Sequence, residues 1–163
     1  MRLVMTVIAA TLVSATLAAA QVNIGFGGVV YNSEQPIEVT SDSLRVDQSS
    51  GNAVFSGNVV VVQGNMRLAA GEVQVIYGTG ETRDVQRVLA TGGVLITRGN
   101  DAAEGQRAEY RVSTGTMVLT GDVLVTQGPS AIAGDRLSIN LNTGDGTVDG
   151  RVRTVLQTDE AGQ

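Results

Sequence analysis

A glycine-led pentapeptide returns along this chain at near-constant spacing, as Gly57-Asn58-Val59-Val60-Val61, Gly92-Gly93-Val94-Leu95-Ile96 and Gly121-Asp122-Val123-Leu124-Val125. The copies start 35 and then 29 residues apart, and Gly150-Arg151-Val152 begins a partial fourth after another 29. A second glycine, Gly71, Gly105 or Gly134, follows each full copy by 13 or 14 residues. The flanks keep register as well: Gly51 to Gly57 aligns with Gly115 to Gly121, and Gln63-Gly64 with Gln127-Gly128. A fixed period of this kind means one supersecondary unit used repeatedly.

The unit reads as β-strand. Apolar residues, mainly Val, Leu and Ile, alternate with polar ones over short runs, the pattern of half-buried strands. Turn signals separate the runs at Ser49-Ser50-Gly51-Asn52, Gly64-Asn65, Gly78-Thr79-Gly80, Gly99-Asn100-Asp101, Ser113-Thr114-Gly115, Gly128-Pro129 and Thr143-Gly144-Asp145-Gly146. Many short strands with glycine corners predict an all-β chain.

The first 20 residues are of another kind. Arg2 gives a positive start, Leu3 to Leu17 an apolar stretch and Ala18-Ala19-Ala20 a small-residue cleavage site, which together predict a signal peptide removed before Gln21. Cleavage leaves 143 of the 163 residues, the size of one domain. Residues 21–34 are expected to be a flexible N-terminal segment, 35–157 the folded domain, and 158–163 a loose tail. There is no Cys, so stability has to come from sheet pairing and apolar burial rather than disulfides.

Composition excludes several functions. Ten Arg stand against sixteen Asp and Glu once Arg2 is removed, and there is no Lys; an acidic chain of this sort is not built to hold nucleic acid. Three Tyr and two Phe cannot furnish the aromatic girdles of an outer-membrane barrel. Without His or Cys the commonest metal ligands, general base and thiol nucleophile are missing, and no catalytic, metal or cofactor site is expected. A carboxylate glycosidase on Asp42, Asp47, Glu72, Glu109 and Asp135 is the enzymatic alternative. Acidic residues beside strand ends and glycine turns are ordinarily solvated surface, and the enzymatic reading is the weaker one.

The stretch from Gln35-Pro36-Ile37-Glu38-Val39 through Asp42-Ser43-Leu44-Arg45-Val46-Asp47, Gly51 to Val59 and Gln63-Gly64 to Ala70-Gly71-Glu72-Val73 resembles the LptA/OstA-like family of periplasmic lipopolysaccharide-transport proteins. Tyr110, Leu119-Thr120-Gly121-Asp122, Gln127, Gly134-Asp135-Arg136-Leu137 and Arg151 to Leu156 continue the likeness. One departure is Gly71-Glu72, where the family usually has Ala-Asp. The resemblance implies an open, twisted antiparallel β-jelly roll located in the periplasm. It implies a carrier that binds lipopolysaccharide by its acyl chains and passes it from inner to outer membrane without catalysis. Its expected partners are lipopolysaccharide, further copies joined head to tail, and transport proteins of similar roll fold anchored at the inner and outer membranes.

Residues two apart on a strand share a face, so Ile37 and Val39, Leu44 and Val46, Ala53 and Phe55, Val59 and Val61, Val73 and Val75, Val94 and Ile96, Tyr110 and Val112, Met117 and Leu119, Val123 and Val125, and Leu137, Ile139 and Leu141 form apolar stripes that can all face one interior. On their own these stripes read as a filled core. The resemblance makes them, without Ala53 and Leu141 and together with Leu68, the expected lipid-binding surface. Arg45, Arg67, Arg98, Arg107 and Arg111 are the guanidiniums available to phosphates, with outward solubilising positions as the plainer alternative. The expected oligomer edge strands are Ile37-Glu38-Val39-Thr40 and Val152-Arg153-Thr154-Val155-Leu156, neither blunted by Lys or Pro. The competing structural reading is a non-catalytic secreted β-solenoid that builds surfaces or filaments.

Overall fold

The computed structural model describes residues 22–25, as backbone, together with 36–79 and 84–155. Eleven strands follow one another: β1 (Val22–Gly25), β2 (Ile37–Thr40), β3 (Ser43–Val46), β4 (Ala53–Gln63), β5 (Met66–Tyr77), β6 (Val85–Arg98), β7 (Asp101–Arg111), β8 (Thr116–Gln127), β9 (Ser130–Asn140), β10 (Asp145–Asp149) and β11 (Arg153–Val155). The helical content of the described residues is a single 3-10 turn, Val112–Thr114. The strands form one sheet in the order β1-β10-β9-β8-β7-β6-β5-β4-β2, with β3 also on β4 and β11 also on β9. All these pairings are antiparallel, unlike the stacked parallel coils of a β-helix. The turn signals in the sequence fall at the chain reversals between strands.

The repeated pentapeptide is a repeated bulge. Register shifts interrupt the long ladders between Ser56 and Val59, Thr91 and Val94, and Thr120 and Val123. At each shift two consecutive residues have positive φ: Gly57 and Asn58 (81° and 45°), Gly92 and Gly93 (80° and 82°), Gly121 and Asp122 (83° and 49°). Gly150 and Arg151 (77° and 43°) repeat this conformation between β10 and β11. Two left-handed residues in a row insert one unpaired residue and bend the strand, and glycine leads each pair because it adopts that conformation without a Cβ penalty. The second glycine of each repeat lies opposite the bend. A Cβ on Gly71 would stand 3.2 Å from the Gly92 carbonyl, so the two backbones approach only where a side chain is missing.

The line of bulges divides the sheet into two halves that fold over one core. Sheet I contains β3, residues 53–56 of β4, β10 and the segments between them; sheet II contains β2, residues 59–63 of β4, β11 and theirs. Val73, Met117, Leu119 and Leu137 from sheet I and Val59, Val94, Val123 and Val125 from sheet II belong to a single buried cluster. On β5, β7 and β9 the inward positions change parity at the bend, from Val73 to Ala70, Ala108 to Ala103 and Leu137 to Ile132. The architecture is therefore an open antiparallel β-jelly roll, all-β as the strand pattern predicts and a roll as the family resemblance implies. Its core holds by burial worth about 1.5–3 kcal/mol for each enclosed Val or Leu.

The N-terminal segment brings a difference. Within residues 21–34, expected to be flexible, Val22–Gly25 pairs as β1 along β10. The expected signal peptide, Met1 to Ala20, and the expected tail, 158–163, lie outside the described residues.

Candidate functional site

The inner face of the roll is graded. At its centre Val59, Val125, Leu119 and Leu137 are 0% exposed; Val73, Val94, Ile96, Met117, Val123 and Ile139 are buried around them. Val39, Phe55, Val61, Leu68, Val75 and Tyr110 are partly buried and pack against this cluster. At the β2–β3 end the face opens. Leu44 pairs with Phe55 and Val46 with Ala53, which puts them on the inner side, yet they are 56% and 55% exposed, and Ile37 is 61% exposed.

Four of the expected inward residues are therefore exposed. For Ile37, Leu44 and Val46 the reason is position: they occupy the last strands of the sheet, with no described strand beyond them. Val112 is a correction of a different kind. The β7 alternation ends at Arg111, and Val112 starts the 3-10 turn closed by Gly115 in the left-handed conformation, which leaves Val112 41% exposed. It borders an outer hollow of about 710 Å³ with Ile76, Val85, Arg87 and Arg111. Conversely, Ala70, Ala90, Ala103, Ile132 and Val148 are buried in the core and were missed by the stripe reading. Alanine carries a weak apolar signal, and Ile132 stands between Ala131 and Ala133, so no polar neighbour marks the alternation. Val148, between Thr147 and Asp149, could have been found by that rule.

Both ends of the roll carry edge strands. Among the described residues β2 and β3 pair on one side only, with β4. At the other end β11 pairs with β9 and Val155 is 62% exposed, while the free side of β10 is covered by β1. Leu156 lies outside the described residues.

Acidic residues sit opposite the bulges and fasten them. The Asp42 amide donates to the Gly57 carbonyl (2.9 Å) and Asn58 Nδ2 donates to Asp42 Oδ2 (2.9 Å). At the far end the Asp135 amide donates to the Gly150 carbonyl (3.1 Å), and Arg151 grips the Asp135 carboxylate with Nη2 and Nε (2.6 and 3.2 Å). Hydrogen bonding from Arg151, with its charge in addition, holds Asp135 below the ordinary carboxylate range. Glu72 accepts from Ser56 Oγ (3.3 Å). Asp42 and Asp135 thus bond to the bulge residues themselves, and Glu72 to Ser56, the residue just before the first bulge.

The remaining carboxylates serve turns and ion pairs. Asp47 Oδ1 accepts from the amides of Ser49 and Ser50 (2.9 and 2.8 Å) and from their hydroxyls; these bonds, the Ser49 hydroxyl first, lower its pKa to about 2. Glu109 pairs with Arg111 (3.0 Å) and Arg87 (3.7 Å). A general acid needs a raised pKa near its working pH; Asp47 and Asp135 are pushed the other way. Arg45, Arg67, Arg107 and Arg111 are exposed and Arg98 is half-buried.

A family model described as LptA/(LptD N-terminal domain) LPS transport protein matches residues 38–145. The chain belongs to this family. Among curated proteins, an uncharacterized protein of Rhizobium meliloti is 32% identical over 98 residues, covering 56% of this chain and 53% of that one. The LPS-assembly protein LptD of Vibrio cholerae is 34% identical over 86 residues, 53% of this chain and 10% of LptD. The lipopolysaccharide export system protein LptH of Pseudomonas aeruginosa is 37% identical over 59 residues, 36% of this chain and 33% of LptH. The match thus spans about half the length of the Rhizobium relative and less of the others. The crystal structure of Pseudomonas aeruginosa LptH, described as the LptA-homologous periplasmic component of the lipopolysaccharide transport device, superposes with a TM-score of 0.69 at 23% identity, covering 77% of this chain and 97% of that one. It shares the fold.

Proposed function

We propose that this member of the family is a periplasmic, non-catalytic carrier and bridge component. It takes lipopolysaccharide by its acyl chains on the inner apolar face and passes it from inner to outer membrane along copies joined head to tail. The observation that carries the reading is the continuity of that face, from exposed Ile37, Leu44 and Val46 over half-buried Phe55 and Val39 into the closed centre. An exposed apolar surface leading into a core between two half-sheets joined only along the bulge line is what an acyl chain needs to enter.

The energetics are sufficient. Each buried methylene contributes about 0.8 kcal/mol, so partial burial of one acyl chain, about ten methylenes, gains about 8 kcal/mol. Transport also needs release, and a face of Val, Leu and Ile with few polar groups holds lipid without fixing it at one position. No single residue is expected to dominate. The outward arginines keep the outside polar, where the sugars and phosphates would lie.

Strand alternation supports the bridge. Glycine-bulge strands and strands carrying the fastening residue alternate across the sheet: β5 lies between bulged β4 and β6, and β9 between bulged β8 and β10–β11. The strand pair β2–Asp42–β3 is of the fastening kind with one side filled, and β10–β11 is of the bulged kind at the opposite end. A second copy's β2–β3 edge therefore continues the alternation on β10–β11. Such a contact is heterologous and does not close, so it yields a chain of rolls. The partners at the two membranes would be rolls presenting the same two edges.

Phe55→Glu is expected to abolish lipopolysaccharide transport while export and folding persist, and Val54→Glu, on the outer side, to leave transport within about twofold. Complementation of a transport-deficient strain is the readout. Equal behaviour of the two variants would refute the inner-face assignment.

A further inference from the structure

β1 (Val22–Gly25) comes first in the chain but lies at the end of the sheet opposite β2, with Val22 opposite Val148, Asn23 opposite Thr147, Ile24 opposite Gly146 and Gly25 opposite Asp145. We propose that β1 is a self-capping strand: it occupies, in the same copy, the half of the C-terminal edge that a second copy must use, so that assembly requires its displacement. The inference rests on the head-to-tail reading above.

The repeat identifies what β1 competes with. β10, Gly150-Arg151 and β11 form the fourth copy of the unit that begins in β4: Gly150 and Arg151 adopt the positive φ pair of Gly57 and Asn58, and the Asp135 amide bonds to Gly150 as Asp42 does to Gly57. On β4 the residues before the bulge, Ala53 to Ser56, take β3, and those after it, Val60 to Gln63, take β2. By the same register a second copy's β3 fits β10 and its β2 fits β11. Among the described residues no strand lies on the side of β11 away from β9, whereas β10 already holds β1. The backbone hydrogen-bonding groups that would receive β3 are satisfied internally, which is how natural sheets protect an edge from premature pairing.

Length favours the incoming edge, and tethering favours the cap. β1 has four residues, while an incoming β2–β3 edge brings four on each side of the bulge. The cap wins at low concentration because it is tethered to its own sheet, and the longer edge wins when copies are abundant or aligned. A carrier capped in this way stays monomeric until it meets the bridge, without the edge-to-edge aggregation that an unblunted strand invites.

The chain has no Cys, so one introduced pair can lock the cap unambiguously. Asn23→Cys with Thr147→Cys joins two directly opposed residues, whose spacing across an antiparallel pair suits a disulfide. Self-association of the mature protein is followed by sedimentation velocity over a concentration series. The oxidised double variant is expected to associate about tenfold more weakly than the same protein after reduction. A second variant lacking residues 22–25 is expected to associate more tightly than the wild type. Equal association of the oxidised and reduced forms overturns the proposal. So does a deletion variant that associates no better than wild type, including one that does not associate at all. The same series separates the two readings: association that neither the lock nor the deletion changes refutes the cap alone, whereas no association by any form, the deletion variant included, refutes the head-to-tail reading and the cap with it.

Discussion

Single residues in this protein act mainly through the backbone they hold. Asp47 closes the β3–β4 turn by accepting two amides and two hydroxyls. Its pKa is lowered to about 2 from an ordinary value of about 3.9. A depressed folded-state pKa contributes stability that is present above the unfolded value and lost as pH falls through the folded one. Asp47→Ala is therefore expected to lower the melting temperature at neutral pH and to flatten the stability loss that the wild type shows between about pH 4 and about pH 2, measured by circular dichroism. Asp135, held low by Arg151, follows the same sign. In the centre, Leu119 is fully enclosed, and Leu119→Ala is expected to cost about 2–5 kcal/mol by urea denaturation, from lost burial plus the residual cavity. The roles of these acids were not legible in the sequence, where they looked like solvated surface. The repeat held the missing signal, since an acid or amide follows each second glycine at Glu72, Gln106 and Asp135.

At the scale of elements, the glycine bulge is what turns a flat meander into a roll. Gly121 has φ +83°, and a side chain there would run into Gln106, so Gly121→Val is expected to cost about 1–3 kcal/mol and to broaden the unfolding transition. Asp122 at φ 49° is a left-handed non-glycine residue, and Asp122→Gly is expected to be neutral or mildly stabilising, since relief of the left-handed conformation offsets the added chain entropy. Urea titrations of the two variants side by side check the pair. Strands, turns and the all-β class were legible because alternation and glycine punctuation are local. The inward set was legible where Val and Leu alternate with polar residues. It failed at Val112, where the strand stops and a 3-10 turn begins, and at Ala70, Ala90 and Ala103, where small side chains fill space at the close bends. Pairing of β1 with β10 joins residues more than a hundred positions apart, a contact that no local pattern specifies.

For the whole molecule the account makes two surfaces do different work. In the proposed function the edges would assemble copies and the inner face would carry lipid. Val155→Lys, at an exposed edge position, is expected to weaken self-association about tenfold while leaving the melting temperature unchanged, because a lysine on an edge strand opposes strand addition without touching the core. Sedimentation velocity and thermal melts on one preparation check both halves of that statement. The central claim, that the inner face is the path of the glycolipid, is tested most directly by site-specific photocrosslinking in living cells, with the probe at Phe55 and, as control, at the adjacent outward Val54. The account predicts lipopolysaccharide adducts at Phe55 and none at Val54. Adducts at both positions, or at neither in a folded and exported protein, would contradict it.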